Sequence, residues 1–350
     1  MTPPKVSVLM TTYNGAPLIA ESLDSVLAQR FEDFELVLVD DCSTDASTPE
    51  LVASYAARDP RIRLLRPERN LGIVGARNFG FAACRGAYLA PLDHDDLSHP
   101  DRLRLQAAHL DANPRSVMVG SGVVELRPDG RRHVFDDRQV SDPLLLRWVL
   151  HTDNPFAWAS VMLRRSAIDQ LGAFLLPEFE YADDYELYHR LLRVGDPAKL
   201  PEPLTTYRWH QNNTTHRVSQ VLEARAAQAL AAAYRPWLGD AAPAAATLVI
   251  HHLCDRQPAD AAALAQLGPC LERILVGFCD TYTTTAAERA QIEAQAAGLW
   301  WRLVRSAVRS GHPACLPTAF ARPALRRGPG ASLSDMVTSC GIGLVRSLRP

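Results

Sequence analysis

The chain has 350 residues, 47% hydrophobic and 22% charged, a balance that excludes a disordered or fibrous class. Its formal net charge of -2 argues against a nucleic-acid partner, whose binding domains carry a strong basic excess. Seven cysteines with no C-x-x-C spacing supply no zinc or disulfide framework and predict a reducing compartment.

Residues 6–10 form a short apolar run that predicts a strand, and 17–29 show helical spacing through Leu18, Leu23, Val26 and Leu27. A second strand is predicted over 34–39. A helix follows over 49–58, with Ser47 or Thr48 as its N-cap and Pro49 in its first turn. Strand 62–65, helix 75–85 and strand 87–92 complete an alternation that predicts a mainly parallel sheet with helices on both faces. Beyond it come a hairpin around Asp129-Gly130, a helix over 143–150, a strand over 160–163 and a helix over 184–194. From about 217 the pattern turns to helices rich in Ala and Leu, over 218–234, 245–253, 261–279 and 285–309. The chain opens without a basic segment and long apolar core, and no run of about 18 apolar residues occurs, so neither a signal peptide nor a membrane span is expected. A cytoplasmic location is the corresponding expectation.

Ligands of such sheets bind beyond the C-terminal ends of the strands, and here those ends are polar. They carry Thr11-Thr12-Tyr13-Asn14, Asp40-Asp41 and Asp93-His94-Asp95-Asp96. Three carboxylates within four residues repel one another unless a cation is present. A hard divalent ion accepts a few carboxylates and completes its shell with water or phosphate oxygens; the other reading is a solvated loop that caps a helix. Asp40-Asp41 can accept hydrogen bonds from a ribose or a base, while Ser43 and Asp45 read as turn and cap residues. The run from Asn70 to Gly80 places glycines at a helix start with Arg77 one turn in. It is neither G-x-G-x-x-G nor a P-loop, which counts against a dehydrogenase or a P-loop enzyme. Asp183-Asp184 falls at a helix start, either as a plain cap or as chemistry.

In order and spacing these segments resemble the inverting glycosyltransferases of family 2, with the GT-A fold, across residues 5–215. The resemblance rests on Val6 to Asn14, Leu38 to Asp45, Asn70-Leu71-Gly72 with Ala76-Arg77-Asn78, the D-x-D at Asp93 and Asp95, and His99-Pro100-Asp101-Arg102-Leu103. It continues through Arg164-Arg165, Gly172-Ala173-Phe174, Asp183-Asp184 and Tyr207-Arg208-Trp209-His210. It implies an α/β, Rossmann-like, mixed and mainly parallel sheet in a catalytic domain over 1–216, with a helical extension and basic tail over 217–350.

The resemblance also implies roles. Thr11, Tyr13 and Asp40 or Asp41 bind base and ribose of a nucleotide sugar, a UDP-sugar by family default, with Arg77 in support. Asp93 contacts ribose or metal-bound water, Asp95 coordinates Mg²⁺ or Mn²⁺, and His210 or His216 adds a contact to metal or diphosphate. Asp184 is the general base toward a glycan or lipid-linked acceptor, with Asp183 an acceptor contact. The family's usual Glu-Asp is Asp-Asp here, and its second residue is kept. Asn154 and Trp158 are candidate acceptor contacts, Trp158 as a sugar platform or as core. A non-catalytic nucleotide-sugar-binding protein of this fold is the alternative. A nucleotidyltransferase ranks low, because it would show a Gly-rich basic loop after the first strand. Residues 301–350 hold eight Arg and one Asp. Arg302, Arg305, Arg309, Arg322, Arg326 and Arg327, with Trp300 and Trp301, suggest either peripheral contact with an anionic membrane or a solvated face over a buried Trp pair.

Overall fold

The computed structural model describes residues 3–134, 141–211, 213–214, 218–325 and 339. The chain divides into two compact units, one of residues 1–147 with 155–225 and one of 148–154 with 226–350.

The first unit begins with β1 (Val6–Thr12), α1 (Ala16–Leu27), β2 (Phe34–Asp40), α2 (Ser47–Arg58), β3 (Ile62–Leu65), α3 (Gly72–Ala83) and β4 (Tyr88–Pro91). β1 pairs in parallel with β2 and β4, and β2 with β3. Every residue of β2 is buried, as expected of a parallel strand covered on both faces. α3 lies close on this sheet because Gly80 has no side chain. A Cβ there would stand 2.4 Å from Leu9 Cδ1 and 2.8 Å from Val39 Cγ2.

β5 (Leu97–Ser98), α4 (Arg102–Ala112), β6 (Ser116–Leu126), β7 (Arg132–Val134), α5 (Pro143–Leu150), β8 (Met162–Arg164), α6 (Arg165–Gln170), α7 (Asp183–Leu191) and β9 (Asp196–Arg208) follow. The sheet runs β3-β2-β1-β4-β8-β6-β9-β5, with β7 hairpinned to β6. β8 is antiparallel to both neighbours, which makes the sheet mixed. β9 escaped the sequence pattern because Pro197, Pro201 and Pro203 interrupt it. It pairs with β6 through register shifts around Gly120 and Gly122. α4 fills the stretch after Pro100-Asp101. Its Arg102 is wholly buried and bridges the splayed strands, donating from one nitrogen to Pro91 O and Val161 O, each 2.9 Å away.

Some sequence expectations shift. α2 starts at Ser47, so neither Ser47 nor Thr48 is its N-cap; instead Asp45 Oδ2 accepts from the Thr48 N–H at 3.1 Å. α3 starts three residues before the predicted Gly75, where Asp41 receives its first amides.

The second unit is helical: α8 (Ser219–Leu238, entering from the first unit), α9 (Ala242–Val249) with a π turn at Ile250–Cys254, α10 (Ala261–Thr281), α11 (Ala286–Arg309) and α12 (Leu316–Phe320). α10 is long and apolar enough to cross a membrane by length and composition alone. Its Leu264, Leu267, Leu271, Ile274 and Phe278 are buried at helical spacing, the pattern of a core helix. Trp300 and Trp301 are fully buried, and the Trp300 Nε1–H donates to Ala319 O at 3.3 Å. The aromatic half of the proposed membrane face is therefore core. Arg322 pairs with Glu272 at 3.6 Å, while Arg326 and Arg327 lie outside the described residues.

Candidate functional site

The sheet brings the predicted polar strand ends together. The loops after β1 and β2 are latched by Asn14, whose Oδ1 accepts from the N–H groups of Thr44 at 2.8 Å and Asp45 at 3.2 Å. The Asn14 N–H donates to Ser43 Oγ at 2.9 Å. Tyr13 stands out of this latch, 46% exposed, and Thr11 is half-buried. Asp40 and Asp41 are buried beneath it. Asp40 Oδ1 accepts from the Ser43 N–H at 3.0 Å, and Arg66 lies 3.6 Å from its other oxygen. Asp41 accepts the Leu71 N–H at 2.8 Å and the Gly72 N–H at 3.0 Å, so it holds the start of α3. Burial still pushes its carboxyl above the usual range.

Arg77 on α3 is the centre of the site. It donates to Asp183 Oδ2 at 2.8 Å and to Asp93 Oδ1 at 3.0 Å, tying the D-x-D loop to the start of α7. Its guanidinium lies 4.6 Å from the centre of the Trp158 ring, a cation–π contact. Trp158 is buried, and this corrects the reading of it as a sugar platform: its ring face carries Arg77. Asp183 is likewise buried and bound to Arg77, so it orders the site rather than standing free for an acceptor. Asn154 is exposed and belongs to the second unit, not to the unit that carries Asp183 and Asp184.

Asp184 is next in sequence and differs. Its Oδ1 accepts the Tyr185 N–H at 2.7 Å, and no ion pair holds it among the described residues. Burial first, and the neighbouring Asp183 charge second, raise its carboxyl to about 7 against a partial offset from Arg77. A carboxylate of that basicity takes up a proton near neutral pH, which suits a general base.

On the D-x-D loop, Asp93 is raised by burial, with Arg77 opposing. Asp95 Oδ2 lies 2.9 Å from His210 Nε2. Asp96 is buried and accepts the Arg208 N–H at 2.9 Å, and burial beside Asp93 and Asp95 pushes its carboxyl well up. Arg208 also donates to Asp95 O at 2.9 Å. The end of β9 thus clamps the loop, a role that the sequence showed only as Tyr-Arg-Trp-His. Among the described residues no three His, Cys, Asp or Glu side chains converge to hold an ion by themselves. His216 lies outside the described residues.

Non-glycine residues with positive φ mark strained turns. Three of the four described, Asn14, Cys42 and Tyr181, occur in the loops that build this site.

Residues 7–172 match the family model of glycosyl transferase family 2. EpsE of Bacillus subtilis, which bears a glycosyltransferase name, is 32% identical over 194 residues, 55% of this chain and 68% of that protein. The chain belongs to glycosyltransferase family 2. This glycosyltransferase is also 38% identical over 197 residues to the succinoglycan biosynthesis protein ExoO of Rhizobium meliloti; the match takes in 55% of the chain and about half, 53%, of that relative. Among solved structures it is similar to residues 1–349 of S. aureus TarS in complex with UDP-GlcNAc, with TM-score 0.55, 18% identity, and coverage of 96% and 90% of the two chains. It is also similar to the mannosyltransferase PcManGT of Pyrobaculum calidifontis in complex with GDP-Man and Mn²⁺, with TM-score 0.53, 19% identity, and coverage of 98% and 88%. At these identities the likeness concerns the fold, a GT-A sheet flanked by helices.

Proposed function

We propose that this glycosyltransferase moves a sugar from a nucleoside diphosphate sugar to a hydroxyl of a glycan or lipid-linked acceptor, with inversion, in polysaccharide assembly. The observation that carries the reading is Asp184, unpaired among the described residues and with its carboxyl raised to about 7, next in the chain to Asp183, which Arg77 ties to Asp93 of the D-x-D loop. Asp184 takes the proton of the acceptor hydroxyl. The acceptor oxygen bonds to the anomeric carbon from the face opposite the diphosphate, whose bond to that carbon breaks. One displacement inverts the centre, and no covalent nucleophile takes part. Tyr13 and Thr11 face base and ribose, and Asp40 and Asp41 shape the loop that receives them.

The donor set suits a divalent ion. Asp95 and His210, a carboxylate oxygen and an imidazole nitrogen 2.9 Å apart, would hold such an ion together with oxygens of the donor diphosphate and water. When bound, Mg²⁺ or Mn²⁺ supplies Lewis-acid stabilisation of the leaving diphosphate. The polysaccharide context draws support from the name of ExoO, and the donor class from the ligands of TarS and PcManGT.

Thermal shift of the full chain with UDP, dTDP and GDP, each with and without Mn²⁺, tests the donor. One nucleotide is expected to stabilise the chain, more strongly with Mn²⁺, and Asp95→Ala is expected to remove the Mn²⁺ increment. Donor turnover should fall by about 10²–10⁴-fold in Asp184→Asn while nucleotide binding persists. Parental turnover in that variant would remove Asp184 as base.

A further inference from the structure

Asp184 lies in the first turn of α7, and Tyr188 follows four residues later on the same helical face. Tyr188 is wholly buried, and its hydroxyl has no hydrogen-bond partner among the described residues. An unmet buried hydroxyl is costly, so its place calls for a reason. Packing does not supply one. The ring meets Phe156 edge-to-face, with centroids 5.7 Å apart, and phenylalanine would make the same contact without a stranded O–H.

The charges around the hydroxyl do supply one. They are Asp184 and Asp183 from its own helix, Arg77 from α3, and Asp93 from the loop after β4. Asp184 faces the same Asp183, Arg77 and Asp93. Its Oδ1 is met by the Tyr185 N–H, and no hydrogen bond reaches its Oδ2 among the described residues. A buried donor without a partner among the described residues and a half-buried carboxylate therefore belong to residues one helical turn apart, in a single charged cluster. Burial, with the carboxylates around it, holds the phenol in its protonated form, so toward Asp184 it is a donor.

We propose that Tyr188 is a positioning residue for the base: its O–H, through one bound water, donates to the free oxygen of Asp184 and fixes the carboxylate toward the acceptor. This rests on the reading of Asp184 as base. The proton leaving the acceptor goes to Asp184, and Tyr188 keeps its own throughout. A bridge of one water holds nearly as well as a direct hydrogen bond.

Tyr188→Phe in the full chain tests it, because the change removes one oxygen and leaves no void. The expected result is a kcat lower by about tenfold, the scale of one lost hydrogen bond, with the donor KM unchanged. Melting should stay near the parental temperature, since the ring and its contact with Phe156 are kept. The acidic limb of kcat/KM should move to higher pH, because the charged carboxylate has lost a donor. In an Asp184→Asn background the same change should have no further effect on residual turnover. Parental kcat with an unmoved limb would overturn the proposal, as would a lower melting temperature with parental kcat, which marks a packing role. If Asp184→Asn itself keeps parental turnover, the base reading fails instead, and that outcome is distinguishable from a silent Tyr188→Phe.

Discussion

The strand ends of the first unit and the interior of the second bury different things. Under the strand ends of the first, Arg77, Asp183, Asp96, Asp41 and Arg102 are all buried, each with a hydrogen-bond partner. In the second, the interior is Leu264, Leu267, Leu271, Ile274, Phe278, Trp300 and Trp301. The helical interior obtains stability from area removed from water. The sheet end forgoes part of that, because burying charge is costly unless it is paired. A region that buries several ionisable side chains on hydrogen-bond partners is arranged for chemistry, and its variants should trade stability against activity in ways the helical core cannot.

Asp184→Asn is the strongest test of that trade. Loss of a general base should cut transfer by about 10²–10⁴-fold, read by donor turnover, and the same change should stabilise the fold. The group keeps its proton to about 7 when folded, against 3.8 for an ordinary aspartate. Between those values the folded state holds the extra proton, so stability falls as pH rises through that window. The melting gain of the variant should be absent near pH 3.8, grow upward, and level off above about 7. Arg77→Met should lose on both counts. It strands Asp183, and breaking a buried pair in this way costs about 3–5 kcal/mol, measurable by denaturant unfolding.

Trp300→Ala sharpens the contrast from the other side. Emptying that position should cost about 3–5 kcal/mol, while the acidic limb of activity stays where it was in protein that remains folded. Asp183→Asn should move that limb to lower pH, because the Asp183 charge helps hold the Asp184 carboxyl up. The smallest effect belongs to Thr285→Ala at the start of α11. It removes a capping box in which Thr285 Oγ1 accepts the Glu288 N–H and Glu288 accepts the Thr285 N–H, worth about 1 kcal/mol.

Most of the sheet was legible because its strands are apolar and end in polar clusters. β9 was not, since its prolines hide a strand whose pairing is decided by β6. The acidic positions were legible as types, and the resemblance separated Asp184 as base from Asp183. The contact that sets them apart was not legible: Asp183 is bound by Arg77 and Asp184 is left basic. Trp158 failed as a platform because its partner, Arg77, is 81 residues away in the chain. The orphaned hydroxyl of Tyr188 belongs to the same class: nothing in a helical repeat says which tyrosine will find no partner.

Gly80 carries a further consequence. It lies three residues after Arg77 on α3, where the Leu9 and Val39 side chains of two strands leave no room for a Cβ. The spacing between helix and sheet is therefore a gauge, set by the absence of a single methyl group. With any side chain there, the guanidinium would ride outward with its helix, and its reach to two carboxylates would shorten together. The reach of Arg77 thus depends on a position that bears no functional group.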